Sequence, residues 1–430
     1  MSVQSSSAST VSVSNDLEKA VEKEILSEDP DIDGGYAWVI LAAGVMFNFG
    51  TWYGIAYGVG MIFGPLIVVL RGYIGLHAVL ILGNVLQFTS LMLASWSTKL
   101  WQLYLTQGVM QSFGLAFLSI VSFPIQGEWF KKKRVFANGI AAAGSGLGGI
   151  VFNLGMQIVV QVRDVHWALR AQAIIGFGIT WIAIFLIRSK AAKHKIEFKL
   201  VEFSVFKYAS FYLISFFIIT SILGYVIVLY TLANWTQTLG YSAYQGSIVS
   251  AMVQLGNLIG RPTVGVIADR YGATTVASIA YVLSGIFCLA MWIPSRNYAS
   301  AIIFAFIEGS IIGSIYPVIV PIITRSFGLP KTNIIFAQLF ILMGISIIGV
   351  KLIKGIAAQV DPSSYQNCAI FSGIMFFAAA GFSLLLRGYL KARDSKLKEV
   401  EDSDYQDYTL SSISVADTLK NVFSKSNEKA

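Results

Sequence analysis

The sequence predicts an all-α membrane protein built as two bundles of six helices. Three observations carry that prediction. Of the 430 residues, 55% are hydrophobic and 13% charged, with a mean hydropathy of +0.68; a soluble domain needs about 25% charge to cover its surface. Uncharged apolar runs recur along the chain, close to the roughly 20 residues a helix needs to cross hydrocarbon. Lys and Arg collect in alternate loops between those runs, the pattern that fixes orientation in a bilayer.

Taken in order, residues 1–33 are Ser/Thr/Val-rich and then carry eight acids, from Asp16 to Asp33, against Lys19 and Lys23. A solvated tail without a signal-peptide-like apolar core is expected there. The first apolar run, Tyr36 to Leu70, is 35 residues without a charge. As one helix it would be about 52 Å long, too long for one crossing and barely enough for two. Further spans are expected near 74–96, 101–125, 135–160, 167–187, 210–234, 243–262, 273–293, 298–323, 333–356 and 368–388.

One set of loops holds Arg71, Lys131 to Arg134, the cluster from Arg188 to Lys207, Arg270, Arg325 with Lys331, and Arg387 with Lys391 and Arg393. The alternate set holds only Lys99, Arg163 with Arg170, and Arg296. The first set is therefore expected in the cytoplasm, with both termini. Arg71 on that side requires an even number of crossings before it, so 36–70 is read as a cramped hairpin and the total as twelve. The basic stretch 188–209 divides a bundle at 34–187 from a bundle at 210–390, with a second tail at 391–430. A multi-pass protein follows, with the plasma membrane expected ahead of the vacuolar one.

The net charge of +8 is then a topology signal, and no nucleic-acid partner is expected. Cys288 and Cys368 lie in apolar runs and read as small buried hydrophobes. No Cys/His cluster suggests a metal, and no nucleophile–base pair or phosphate-cradling loop suggests an enzyme or a cofactor.

Three motifs stand at topologically meaningful places. Asp33-Gly34-Gly35-Tyr36-Ala37-Trp38 opens the first span, where aromatic rings suit an interface anchor. Phe130, Lys131 to Arg134 and the small-residue run Ala137 to Ser145 open the fifth, with Gly144 and Gly148 spaced for close helix contact. Gly260-Arg261-Pro262, Gly265, Ala268-Asp269-Arg270 and Gly272 close the eighth. In this order the three resemble the signatures of the monocarboxylate transporter family of major facilitators. Wording such as Leu100-Trp101-Gln102-Leu103-Tyr104 is similar to its fungal branch. The resemblance covers about 34–390. It implies a twelve-helix major facilitator fold and secondary transport of a small organic solute, a monocarboxylate or something riboflavin-like, with a proton as candidate co-solute. It also implies a substrate-holding role for Arg261, whose planar fork suits a carboxylate, against the alternatives of a structural pair or snorkelling.

The sequence departs from the family's animal members at Asn257, where they carry an Asp one turn before the Arg, and in lacking some 30–40 residues around the first hairpin. That shortening keeps a second reading open, a transporter-like sensor or a non-transporting remnant. Ionisable groups within spans are functional candidates because they are costly in hydrocarbon. Glu308, in the middle of the tenth span, is the candidate proton carrier, against a structural hydrogen-bonded role. Gln107 with Gln111, and Asn153 with Gln157, each share a helix face at i, i+4 and are candidate cavity liners. Asp269 with Arg270, and Glu128 against the Lys131–Arg134 cluster, are candidate gating pairs. The sequon Asn234-Trp235-Thr236 lies too near a span to be expected as glycosylated.

Overall fold

The computed structural model describes residues 32–51, 57–190, 200–356, 364–399 and 413–424. The acidic tail expected before Asp33 and residues 191–199 of the basic linker lie outside them. The described residues form only helices and turns. In the first half the helices are α1 (Ala37–Thr51), α2 (Tyr57–Ile62), α3 (Gly64–Ile74) and α4 (Leu76–Ala94). Next come α5 (Leu100–Leu103), a π-helical stretch Tyr104–Met110, α6 (Gln111–Ser122) and α7 (Ile125–Trp129), which follow one another as one column. Helices α8 (Arg134–Val162) and α9 (Val165–Leu186) complete the bundle. The second half contains α10 (Ala209–Thr238), α11 (Ala243–Tyr271) and α12 (Ala273–Phe287), which continues as a π stretch, Cys288–Trp292. It closes with α13 (Tyr298–Ile312), α14 (Ile315–Phe327), α15 (Leu329–Ile356) and α16 (Ser364–Glu399). A short α17 (Val415–Asn421) packs on α16.

Among the described residues, nine helical stretches are long and apolar enough to cross a membrane. Helix α11 matches them in length but carries Arg261, Asp269 and Arg270. The expected first hairpin is present: α1 spans 15 described residues, about 22 Å at 1.5 Å per residue, and α2 and α3 form the second column. With α11 and these two, the described columns number twelve. The expected end of the eighth span at 262 falls short, because α11 runs to Tyr271. Its last charged turns leave the apolar zone while the backbone hydrogen bonds continue, so hydropathy stops before the helix does. The last helix likewise runs past 390 to Glu399. Asn234 and Thr236 fall inside α10, with Thr236 buried and bonded to the Leu232 carbonyl at 2.8 Å.

Packing follows the two-bundle plan. Helix α1 lies against α8 and α9, and α4 against α6 and α9; in the second half α10 and α12 lie on α16, and α11 on α13. The halves meet where α8 crosses α11 and where α2 and α3 meet α15. Small residues let the first crossing reach backbone distance: a Cβ on Gly139 would sit 2.5 Å from the Arg261 carbonyl oxygen, and one on Gly265 2.7 Å from Phe136 Cα. In lipid, where apolar burial between helices gains little, such contact is a main source of association.

The face that carries the basic loops is tied by side chains. The Asp33 carboxylate accepts from the amides of Lys131 (3.1 Å), Lys132 (3.0 Å) and Lys133 (3.3 Å), and its own amide donates to the Trp129 carbonyl. Trp38 meets Phe130 edge-on, and Tyr36 lies on Trp129, each at 5.6 Å between ring centroids. The first two signature motifs are thus one clasp holding the start of α1 to the start of α8. Glu128 accepts from the Ser189 hydroxyl (2.8 Å) and the Lys190 amide (2.9 Å) and lies 4.0 Å from Arg71. The sequence could not foresee this, because Arg71 and Ser189 reach Glu128 from 57 and 61 residues away.

The α8–α11 crossing gives a first prediction. Gly139→Val places side-chain atoms where only backbone fits, and overpacking of this kind typically costs about 1–3 kcal/mol. The purified protein should melt at a lower temperature than the native chain, and an unchanged melting curve would contradict the crossing.

Candidate functional site

Between the halves lies a cavity of about 410 Å³, lined from both of them. The first half contributes Asn48 of α1, Met61 of α2, Ser119 of α6, Ser145, Phe152 and Asn153 of α8, and Gln172 of α9. The second contributes Tyr225 and Tyr230 of α10, Ser250, Gln254 and Arg261 of α11, Tyr316 of α14, and Phe340 and Met343 of α15. Several liners, Asn48, Asn153, Gln172 and Ser250, lie toward the helix ends away from the basic face. The cavity therefore occupies the side of the crossing opposite the basic loops, while Gly139 and Gly265 close the basic side.

Arg261 forms the floor. It is 1% exposed, and its guanidinium donates across the interface to the Ala142 carbonyl (2.6 Å) and to the Ser145 hydroxyl. On its own half it reaches the Tyr225 hydroxyl at 3.4 Å and lies 4.6 Å over the Tyr316 ring. A buried guanidinium needs such company, because an ion in hydrocarbon without compensation is costly. Tyr316 also packs on Tyr225 and Phe123, with centroids 5.8 and 6.3 Å away, so the floor is cationic and aromatic together. The break between α13 and α14 makes room for it: a Cβ on Gly313 would stand 2.7 Å from Arg261 Nε and 2.1 Å from Asn257 Oδ1.

The other residues singled out from the sequence are scattered. Asn153 lines the cavity and is exposed to it. Asn257 is fully buried one turn from Arg261, faces Gly313, and its amide has no hydrogen-bond partner among the described residues; it is not a cavity liner. Gln107 lies in the π-helical stretch and Gln111 at the start of α6, and neither lines the cavity. Glu308 is fully buried within the second bundle, where Cys288 Sγ stands 3.6 Å from its Oε1, and it too is outside the cavity lining. Gln254, Ser145, Tyr225, Tyr316 and Asn48 were not foreseen. A signal existed for Gln254, which precedes Arg261 by seven residues and so shares its helix face.

Asp269 latches the halves with its carboxylate, which accepts the amides of Val135 (3.0 Å) and Phe136 (2.9 Å) of α8. These are among the donors that the first turn of any helix leaves unsatisfied, at its positive dipole end. Arg270 beside it is exposed.

The pattern of the Major Facilitator Superfamily matches residues 32–348 and 213–425 of the chain. A protein of Saccharomyces cerevisiae described as a probable transporter, MCH2, is 39% identical over 419 residues, 88% of each chain. Two solved structures of FucP are similar in fold. One, the E. coli fucose:proton symporter, has a TM-score of 0.58 and 14% identity over 82% of this chain and 97% of its own. The other, in the outward conformation, has a TM-score of 0.59 and 13% identity over 86% of this chain and 94% of its own.

The latch yields the second prediction. Asp269→Asn leaves one acceptor oxygen for two amides and removes the charge; a hydrogen bond to a charged group contributes about 1.5–3 kcal/mol. With the two native cysteines replaced, a cysteine at Ala142 should be alkylated from the basic side at least about tenfold faster in the Asn variant. An equal rate would show that this carboxylate does not hold the basic side shut.

Proposed function

The chain belongs to the Major Facilitator Superfamily, and from that premise we propose that it is a secondary transporter of a small organic anion, working by alternating access. The observation that carries this reading is Arg261. A cation of the second half, on the floor of a cavity lined by both halves, donates to Ala142 and Ser145 of the first. A carboxylate arriving from the cavity would compete for the same fork of N–H groups. Binding then loosens a bond between the halves, which is the differential contact that a conformational change requires. The resemblance of the three motifs to the monocarboxylate transporter family supports a carboxylate; the 410 Å³ cavity leaves room for solutes larger than a three-carbon acid.

On this reading the basic face is cytoplasmic by the positive-inside rule, both termini lie there, and the cavity opens away from it, in the plasma membrane rather than the vacuolar one. Asp269 is the inner latch. Asn153 belongs to the solute's surroundings, whereas Asn257 supports the floor from behind, and Gln107 and Gln111 stand outside the lining. Glu308 is the candidate for proton coupling, acting through the packing between α12 and α13 rather than by touching solute; the fold neighbour FucP is a proton symporter by its title. The competing reading, a sensor or remnant, rests on the 35-residue run from Tyr36 to Leu70, short for two crossings. Against it, Asn48 of α1 and Met61 of α2 still line the cavity.

Uptake of labelled carboxylates at two external pH values, in a strain expressing the chain, tests the proposal. Arg261→Lys keeps the charge and loses the planar fork, and should lower kcat/KM by about ten- to a hundredfold at equal surface abundance, in line with one or two charge-assisted hydrogen bonds. Uptake by the native chain that is zero for every acid, with the protein at the surface, would favour the sensor reading. Glu308→Gln cannot exchange a proton and should flatten the dependence of uptake on external pH; a dependence that persists would remove Glu308 from the coupling.

A further inference from the structure

We propose that the cavity holds a second polar subsite, centred on Gln254, which takes a hydrogen-bond donor of the solute about 10 Å from the group held at Arg261. The proposal deepens the transport reading and rests on it for the anionic end. Gln254 is 2% exposed and lines the cavity. Its side-chain oxygen Oε1 is buried and has no hydrogen-bond partner among the described residues. A buried amide oxygen left unpaired is destabilising by roughly 1–3 kcal/mol, a disadvantage that a donor from a bound solute would remove.

The side chain is held in place by packing. The amide lies flat on Gly149 of α8, where a Cβ would stand 2.6 Å from Gln254 Cγ, 2.9 Å from Cδ and 3.0 Å from Oε1. The neighbouring turn of α8 is equally close, a Cβ on Gly146 reaching 2.7 Å from the Gln254 carbonyl oxygen. Gly149 of the opposite half thus packs against the amide itself, while Gly146 packs against the backbone that carries it. The same cavity has further neutral polar liners, Asn48, Asn153 and Ser250.

Gln254 and Arg261 are seven residues apart on α11, two turns along one face, which at about 1.5 Å per residue separates them by about 10 Å. The cavity that both residues line also carries the aromatic side chains of Tyr225, Phe152 and Tyr316. A three-carbon acid would reach one end only. The arrangement fits an elongated acid with a flat apolar middle and a distal N–H or O–H.

A matched pair of probes tests this: an aryl-alkanoic acid with a para-acylamino N–H about 10 Å from its carboxylate, and its N-methyl twin, which lacks only the donor. Stabilisation of the purified full-length protein against heating is read alongside uptake. The native chain should bind the N–H acid about tenfold more tightly than its twin, and Gln254→Met, similar in shape without the amide, should bring that ratio close to one. The native ratio stands as a test even where the variant misfolds. Equal binding of the twins by the native chain, or binding of neither, would overturn the subsite. Selective binding with no uptake would leave the subsite standing and overturn the transport reading instead.

Discussion

The start of α8 is the point on which both halves bear. Five backbone amides, those of Lys131, Lys132, Lys133, Val135 and Phe136, donate to two carboxylates, Asp33 and Asp269. Asp33 comes from the first half and Asp269 from the second. A helix leaves its first amides without intrahelical partners wherever it begins, and the amides of Lys131–Lys133 just before α8 likewise need acceptors. The chain answers that need with side chains from elsewhere, and in doing so fastens the entry of α1 and the end of α11 to one spot. Asp33 acts within its own bundle and can stay bound through any relative movement of the halves. Asp269 acts across them and cannot.

The same division recurs at depth. Gly139 and Gly265 bring α8 and α11 to backbone contact, and just beyond the contact the helices part to form the cavity. Arg261 stands where contact gives way to cavity, which is why it has both backbone neighbours across the interface and an aromatic floor. Its burial is tolerable because each direction offers electron density: a carbonyl, hydroxyls and the face of Tyr316. The break at Gly313 is part of the same provision, since a continuous helix with side chains there would collide with Arg261 and Asn257.

Much of the fold was legible in the sequence because hydrocarbon is an undemanding reader: length and apolarity suffice, and the long apolar helices stand close to where the runs predict. The exceptions have physical causes. Helix α11 outruns its apolar part because its last turns sit among the basic loops, where charge is welcome. The clasp between Asp33 and Lys131–Lys133 joins residues about a hundred positions apart, and nothing local announces such a pairing. Within the site, Arg261 was legible from its motif, and Asn153 from its spacing. Glu308 was conspicuous as a charge in a span, but α13 is apolar on every side, so no periodicity told which neighbour the carboxyl faces. Gln254 has no second amide four residues away to mark a polar face, as Asn153 has in Gln157, and its spacing from Arg261 gains meaning only beside its unpaired oxygen.

The short first hairpin acquires a narrower meaning in this setting. The residues of α1 nearest the basic face are held through Tyr36, Trp38 and the α8 crossing, and the run from Tyr36 to Leu70 leaves little length at the opposite end. That end borders the cavity, whose wall there still includes Asn48 and Met61. The floor at Arg261 and the latch at Asp269 are built from α8, α11 and α14, outside the first hairpin, so a compact hairpin does not remove them.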